Sequence, residues 1–355
     1  MPVDAAWQHA PIQPRRATAL GISFRTPQLA ALGLEARPTL LALLAHPFQL
    51  IRLGAYWNRI EPSPGTFNTD ELDWQVDAAE RAGKEIVLCA GALKTFGYPE
   101  FFVPTHRLAR PLPEHTLIRP SAYPDLLAAA TEFLARIVDR YKGHSSIVAW
   151  QVEHEAVDPL GVEHSWRLAA AFVAQEVEAV RQGDPSRPIL MNGFLPASLP
   201  VRLTQWWQTR DQGDSLSVAQ QLADVVGLDF YPRHAVIGLG GKTVYLDGSR
   251  SRWNQSRRKE LFAWARSHGR RLMISEGQAE PWEAVTTPPN PPAQWMFSCP
   301  PEQLIDTYNQ CLTWAREAGI TLDAYLFWGA EYWLLRAQSG DKAYLNAFAR
   351  ILENA

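Results

Sequence analysis

The chain has 355 residues, of which 46% are hydrophobic and 20% charged, with a net charge of -3. This balance excludes a disordered polyelectrolyte and gives no basic footprint for nucleic acid or an anionic membrane. Three cysteines, Cys89, Cys299 and Cys311, without a CxxC spacing exclude a disulfide framework or a zinc motif of the usual kind.

The predicted elements alternate. Ala17–Phe24 reads as strand one and Thr39–Ala45 as a helix. Gln49–Leu53, extending to Trp57, is strand two. The helix Leu72–Ala82 closes on Gly83, and Glu85–Ala90 is strand three. Asp125–Tyr141 carries apolar residues at three-to-four spacing and reads as a long helix. Ile147–Val152 is strand four and Ser165–Arg181 its helix. Pro188–Phe194 and Asp224–Tyr231 are strands five and six. A helix at Arg258–His268 leads to strand seven, Arg271–Ser275, and a helix at Pro301–Ala318 to strand eight, Asp323–Trp328.

Eight nearly continuous apolar strands separated by helices imply a parallel sheet buried on both faces, hence a TIM (β/α)8 barrel. A doubly wound sheet is the rival fold. It more often carries a Gly-rich phosphate loop after strand one, which GISFRTPQ is not. The expectation is one catalytic domain over 1–355, with 1–16 as an N-terminal extension. Long connections follow strand three (Gly91–Pro124), strand six (Pro232–Gln255) and strand seven (Gly277–Pro300). All three would emerge at the C-terminal face, and Thr286–Pro300 would lie across it as a lid or wall. The N-terminus lacks an apolar signal-peptide region and no run approaches a membrane span, so the expected location is cytoplasmic.

Strand four ends in Trp150-Gln151-Val152-Glu153-His154-Glu155-Ala156 and strand seven in Met273-Ile274-Ser275-Glu276-Gly277. Each terminates in a carboxylate where a barrel opens. Two facing carboxyl groups can divide the acid and nucleophile roles of glycosidic bond cleavage. In these segments, and nearly from end to end, the sequence resembles glycoside hydrolase clan A, the retaining β-glycosidases built on (β/α)8 barrels. QVEHEA is similar to the clan's W-x-x-E-N-E-P segment and MISEG to its strand-seven segment. Arg52 in LIRLGAYWNRIEPSPGTFN matches the strand-two arginine. Tyr231 in VGLDFYP matches the strand-six residue that contacts the nucleophile, and Trp328 in YLFWGAEYW the strand-eight aromatic beneath the sugar.

The resemblance implies Glu155 as acid/base and Glu276 as nucleophile, with retention of configuration. It implies no metal or organic cofactor and an oligosaccharide or glycoside as substrate. One position departs from the pattern: His154 stands where the clan has Asn, which raises mannose-configured sugars beside gluco and galacto ones. Ala156 replaces the common Pro.

Other residues keep two readings. Glu153, two positions below Glu155 on the inward side, reads as a buried partner for an arginine. The 14 Trp split between core and flat sugar platforms. Trp328 leads the platform set, followed by Trp282, Trp295 and Trp333, and Trp57 and Trp150 also fall near strand ends. Lys94, Tyr98 and Glu100 after strand three either wall a subsite or pack their loop, and Glu331 is a candidate hydroxyl acceptor. Two rival functions are a carbohydrate-binding barrel without catalysis and a metal-dependent barrel hydrolase using His154, Glu155, Asp158 and His164. Oligomeric state is not legible, though an exposed aromatic loop could pair subunits into a homo-oligomer.

Overall fold

The computed structural model describes residues 5–158, 164–196, 199–239, 242–248, 251–282 and 298–354. Eight strands follow one another: β1 (Ala19–Ser23), β2 (Leu50–Gly54), β3 (Glu85–Cys89), β4 (Ile147–Gln151), β5 (Ile189–Phe194), β6 (Val225–Phe230), β7 (Arg271–Gln278) and β8 (Ala324–Trp328). They are hydrogen-bonded in the order β1-β8-β7-β6-β5-β4-β3-β2, a closed parallel barrel with helices between the strands. This is the TIM architecture that the alternation predicts. Closure removes the doubly wound alternative, which has two open edges.

The strands form where they do because both of their faces are covered. Every residue of β2, β5 and β8 is buried, as a barrel wrapped in helices requires. The helix Pro124–Tyr141 starts on Pro124, whose missing N–H costs nothing in a first turn. It buries Leu126, Leu127, Ala130, Phe133, Leu134, Ile137, Val138 and Tyr141, one apolar stripe at three-to-four spacing. Asp70, Glu71 and Asp73 in the first turn of the helix Asp70–Arg81, with Arg81 in its last, complement the helix dipole.

By contacts the chain divides into two compact units. The first comprises 1–50, 195–202 and 228–355, and the second 51–194 and 203–227. In the first, the segment read as an N-terminal extension is tied down. Gln13 N donates to Asn309 Oδ1 at 2.8 Å, Tyr308 Oη donates to Gln13 O at 2.9 Å, and Arg350 Nη2 donates to Ala10 O at 3.0 Å.

Several boundaries differ from the sequence reading. Strand seven runs three residues further, to Gln278, because Gly277 and Gln278 pair with Phe327 and Trp328. The helix expected over Ser165–Arg181 is Ala170–Gly183, because Arg167–Leu168 pairs instead with Leu117–Ile118 of the loop after β3. The long connection after β6 contains two antiparallel strands, Arg233–Leu239 and Lys242–Asp247, with Leu239 opposite Lys242. Thr286–Pro300 lies outside the described residues as far as position 297.

Candidate active site

The second unit carries the end of β4. Glu155 follows that strand on unusual backbone: Glu153 (φ 59°) and Glu155 (φ 44°) both occupy the left-handed region, which costs a non-glycine residue energy unless its surroundings hold it there. The restraints are specific. The Glu153 carboxylate accepts the backbone N–H groups of Ala92 (3.0 Å), Leu93 (2.9 Å) and Lys94 (2.6 Å). Gly91 permits this approach, since a Cβ there would stand 2.5 Å from Glu153 N. The partners of Glu153 are therefore loop amides, not the arginine that the sequence suggested.

Burial pushes the Glu153 carboxyl up, against the lowering effect of those amides and of the Glu176 side chain. Burial, and then the charge of Glu153, push Glu176 well above the usual carboxylate range. The pair is best described as one carboxylate beside one carboxylic acid.

Lys94 is fully buried, and its loop packs behind Glu155. Lys94 Nζ donates to Glu155 O at 3.1 Å and to Asp158 O at 3.4 Å, and pairs with Glu100 at 3.4 Å. Arg52, likewise fully buried on β2, donates from Nε to Gln151 Oε1 at 2.7 Å and lies 4.0 Å over the Phe96 ring. Gln151 Nε2 donates to Glu153 O (2.9 Å) and Asn192 Oδ1 (3.0 Å), and the same Asn192 oxygen accepts Glu155 N at 3.3 Å. Arg52, Gln151, Asn192 and Glu155 thus form a chain across β2, β4 and β5. His154 is buried beside them.

The metal-ligand set His154, Glu155, Asp158 and His164 does not assemble. His164 stacks on Trp166 at 3.8 Å and bonds Glu114 at 3.1 Å. Asp158 accepts from Gln205 Nε2 at 3.0 Å and Ser215 N at 3.4 Å.

The first unit carries the end of β7. The pairing of β7 with β8 shifts between Ile274 and Gly277, so Glu276 sits in a bulge, a device that re-aims a side chain. Tyr231 Oη donates to Glu276 Oε2 at 2.5 Å. Below it, Ser275 Oγ donates to Asp229 Oδ1 at 2.7 Å. Trp282 is half-buried, its ring 5.1 Å from that of Tyr231 and its Nε1 bonded to Arg233 O at 2.6 Å.

Trp328 ends β8 with Arg25 stacked 4.4 Å from its ring. Arg25 is fully buried and grips Glu280 through Nη1 (2.5 Å) and Nη2 (2.8 Å), and Glu331 Oε2 through Nη2 (2.8 Å) and Nε (3.1 Å). Its backbone N–H takes Glu331 Oε1. Both oxygens of Glu331 are thus committed to Arg25, a different position from the open hydroxyl acceptor that the sequence suggested.

Three tryptophans near strand ends are core. Trp57, Trp150 and Trp333 are fully buried, with their indole N–H groups on Glu61 (2.8 Å), Asp184 (3.0 Å) and Ala279 O (2.7 Å). Trp295 lies outside the described residues. The sequence reading missed Arg25, Gln151, Asn192 and Glu280. A signal existed for two of them, since Arg25 directly follows the apolar strand one and Glu280 lies four residues beyond Glu276.

Comparison with known proteins gives matching results. Residues 43–174 match a family model described as beta-galactosidase, Glyco_hydro_42, a stretch that includes Arg52, Lys94 and Glu155. A β-galactosidase of Geobacillus kaustophilus is 29% identical over 115 residues, which make up 30% of this chain and only 17% of that protein. Among solved structures, GH5_18 from Streptomyces cattleya in complex with GlcNAc superposes with a TM-score of 0.59 at 16% identity, covering 96% of this chain and 82% of that one. A GH10 xylanase of Thermobacillus composti gives 0.56 at 16% identity, covering 96% and 97%. The structures establish the fold. The matched family and these neighbours are retaining barrel glycosidases of the clan that the sequence resembles.

Proposed function

We propose that this protein is a retaining β-glycoside hydrolase in which Glu276 is the nucleophile and Glu155 the acid/base. The observation that carries the reading is the 2.5 Å hydrogen bond from Tyr231 to Glu276 at the end of β7. A donor on a carboxylate favours its charged form, which attack on an anomeric carbon needs. Glu155, at the end of β4, three strands before β7, protonates the departing oxygen and then activates the water that releases the glycosyl-enzyme. Retention calls for carboxyl groups about 5–5.5 Å apart. Arg52 acts through Gln151 and Asn192 on the backbone of Glu155, His154 contacts the 2-hydroxyl, and Trp328 forms the floor beneath the sugar, with Trp282 as a side wall.

The β-galactosidase family match over residues 43–174, the stretch that holds Glu155, supports a galactose-configured glycone. His154 in place of Asn supports a mannose-configured one as the second reading. A panel of nitrophenyl β-glycosides, with NMR of the first-formed anomer, separates them. Release of β-galactose as the first anomer is expected, and faster turnover of the mannoside would shift the assignment to the second reading. A first-formed α anomer, or no turnover of any β-glycoside, would overturn the reading itself.

A further inference from the structure

The outer helical layer of the first unit contains a cavity unconnected with the glutamates. It lies on the helices Arg252–Ser267 and Pro301–Ala318, has a volume of about 440 Å³, and is lined by Arg258, Lys259, Phe262, Arg266, Trp314 and Glu317 among others. Arg258 is only 8% exposed. Its guanidinium lies 3.4 Å from the centre of the Trp314 ring, and that ring is packed edge-on by Phe230 at 4.8 Å. Among the described residues no carboxylate or carbonyl bonds to it.

The other buried arginines differ. Arg25 holds two carboxylates, Arg52 holds Gln151, and Arg336 holds Asp341 at 2.5 Å. Burial pushes Arg258 down to about 10, with the nearby charge of Glu317 pulling the other way. A guanidinium largely withdrawn from water, with the Glu317 charge near it but no hydrogen-bonded acceptor among the described residues, favours an added anionic partner. Lys259 and Arg266 add positive charge at the rim and Glu317 alone opposes it, while Phe262, Ala263, Trp314 and Ala318 supply apolar wall.

We propose that this cavity binds a small organic anion, a carboxylate or phosphate monoester carried on an apolar body, with the Arg258 fork on the anionic head and the Phe262–Trp314 wall against the body. A purely inorganic anion would leave that wall wet, and a neutral body would leave the guanidinium without an acceptor.

Isothermal titration of the full chain tests this with phenyl phosphate and phenylacetate as probes, and inorganic phosphate and benzyl alcohol as controls lacking the body or the charge. Both aryl anions are expected to bind at one site and more tightly than either control. Arg258→Met should weaken them by about tenfold or more, the loss typical of a charge-assisted hydrogen bond. Arg266→Gln, a change at an exposed position, should weaken them a few-fold, and Glu317→Gln should strengthen them. Turnover of aryl β-glycosides should stay within about twofold in all three variants, which separates this site from the proposed catalytic one. Equal affinity of wild type and Arg258→Met, inorganic phosphate binding as tightly as phenyl phosphate, or no heat with either aryl anion would each overturn the proposal.

Discussion

The ends of β4 and β7 hold their glutamates by different means. At β4 the described bonds fall on main chain: Lys94 Nζ on the carbonyl of Glu155, Asn192 on its N–H, and Glu153 on three amides of the loop behind. At β7 the bond falls on the carboxylate itself, from Tyr231, and the backbone is set by a strand bulge. The difference matches the proposed labour. An acid/base must gain and lose a proton within each cycle, and at β4 the bonds to Lys94 and Asn192 fix its place through the backbone. A nucleophile must remain ionised, so a donor is aimed at its oxygen.

The strongest way to break this comparison is to remove the carboxylates. Glu276→Ala should lower kcat by about 10⁴-fold or more, as removal of a nucleophile does elsewhere. Azide should restore part of the rate and give an α-glycosyl azide, identified by NMR. A β azide would move the nucleophile to another residue. Glu155→Ala should cost about 10²–10⁴-fold with poor leaving groups, the usual worth of acid–base catalysis, and much less with activated aryl glycosides. A leaving-group series with equal losses throughout would argue against the acid role.

Smaller changes sharpen the comparison by separating position from charge. Lys94→Met removes the ammonium from the Glu155 carbonyl. A displacement of about 1 Å in a catalytic group can cost about 10²-fold, so kcat for poor leaving groups should fall by roughly 10–100-fold, with partial recovery in Lys94→Arg. The acid limb of the kcat/KM profile should stay where it is. Tyr231→Phe should do the reverse. Losing the donor disfavours the charged carboxylate, so the acid limb should move up while the leaving-group dependence is kept. If both variants shifted the limb equally, position and charge would not be separately held.

The parts of this arrangement that could be read in the sequence are those set by local chemistry. Glu155, Glu276 and Tyr231 stand at or just past the ends of apolar strands, and Arg52 inside one, where a polar residue is conspicuous. The barrel followed from the alternation of short apolar runs with three-to-four-spaced helices. What could not be read depends on tertiary contact. The hydrogen bonds of Glu153 go to a loop 59 to 61 residues away, and nothing local distinguishes an amide partner from an arginine. Arg25 meets Glu280 and Glu331 across separations of 255 and 306 residues. Trp57, Trp150 and Trp333 fall near strand ends but face the core, because position along a strand does not say which way a side chain points. The two antiparallel strands after β6 read in the sequence only as a long connection, Pro232–Gln255.

The smallest effect concerns stability at the β4 end. Burial pushes Asp158 up to about 6 from an ordinary 3.8, against the hydrogen bonds of Ser215 and Gln205 and the charge of Lys94. Between those two values the folded chain holds a proton here that the unfolded chain has released. The contribution of this group is therefore fully present below about pH 4 and declines as pH rises through about 6. Asp158→Asn keeps an acceptor for Gln205 and cannot titrate. Thermal unfolding from pH 4 to pH 7 should show wild type losing stability relative to the variant across that window, with the difference levelling off above it. A difference independent of pH would mean that Asp158 is ionised in the folded chain throughout. Lys94 would then hold the Glu155 turn beside a fixed negative charge rather than beside a neutral acid.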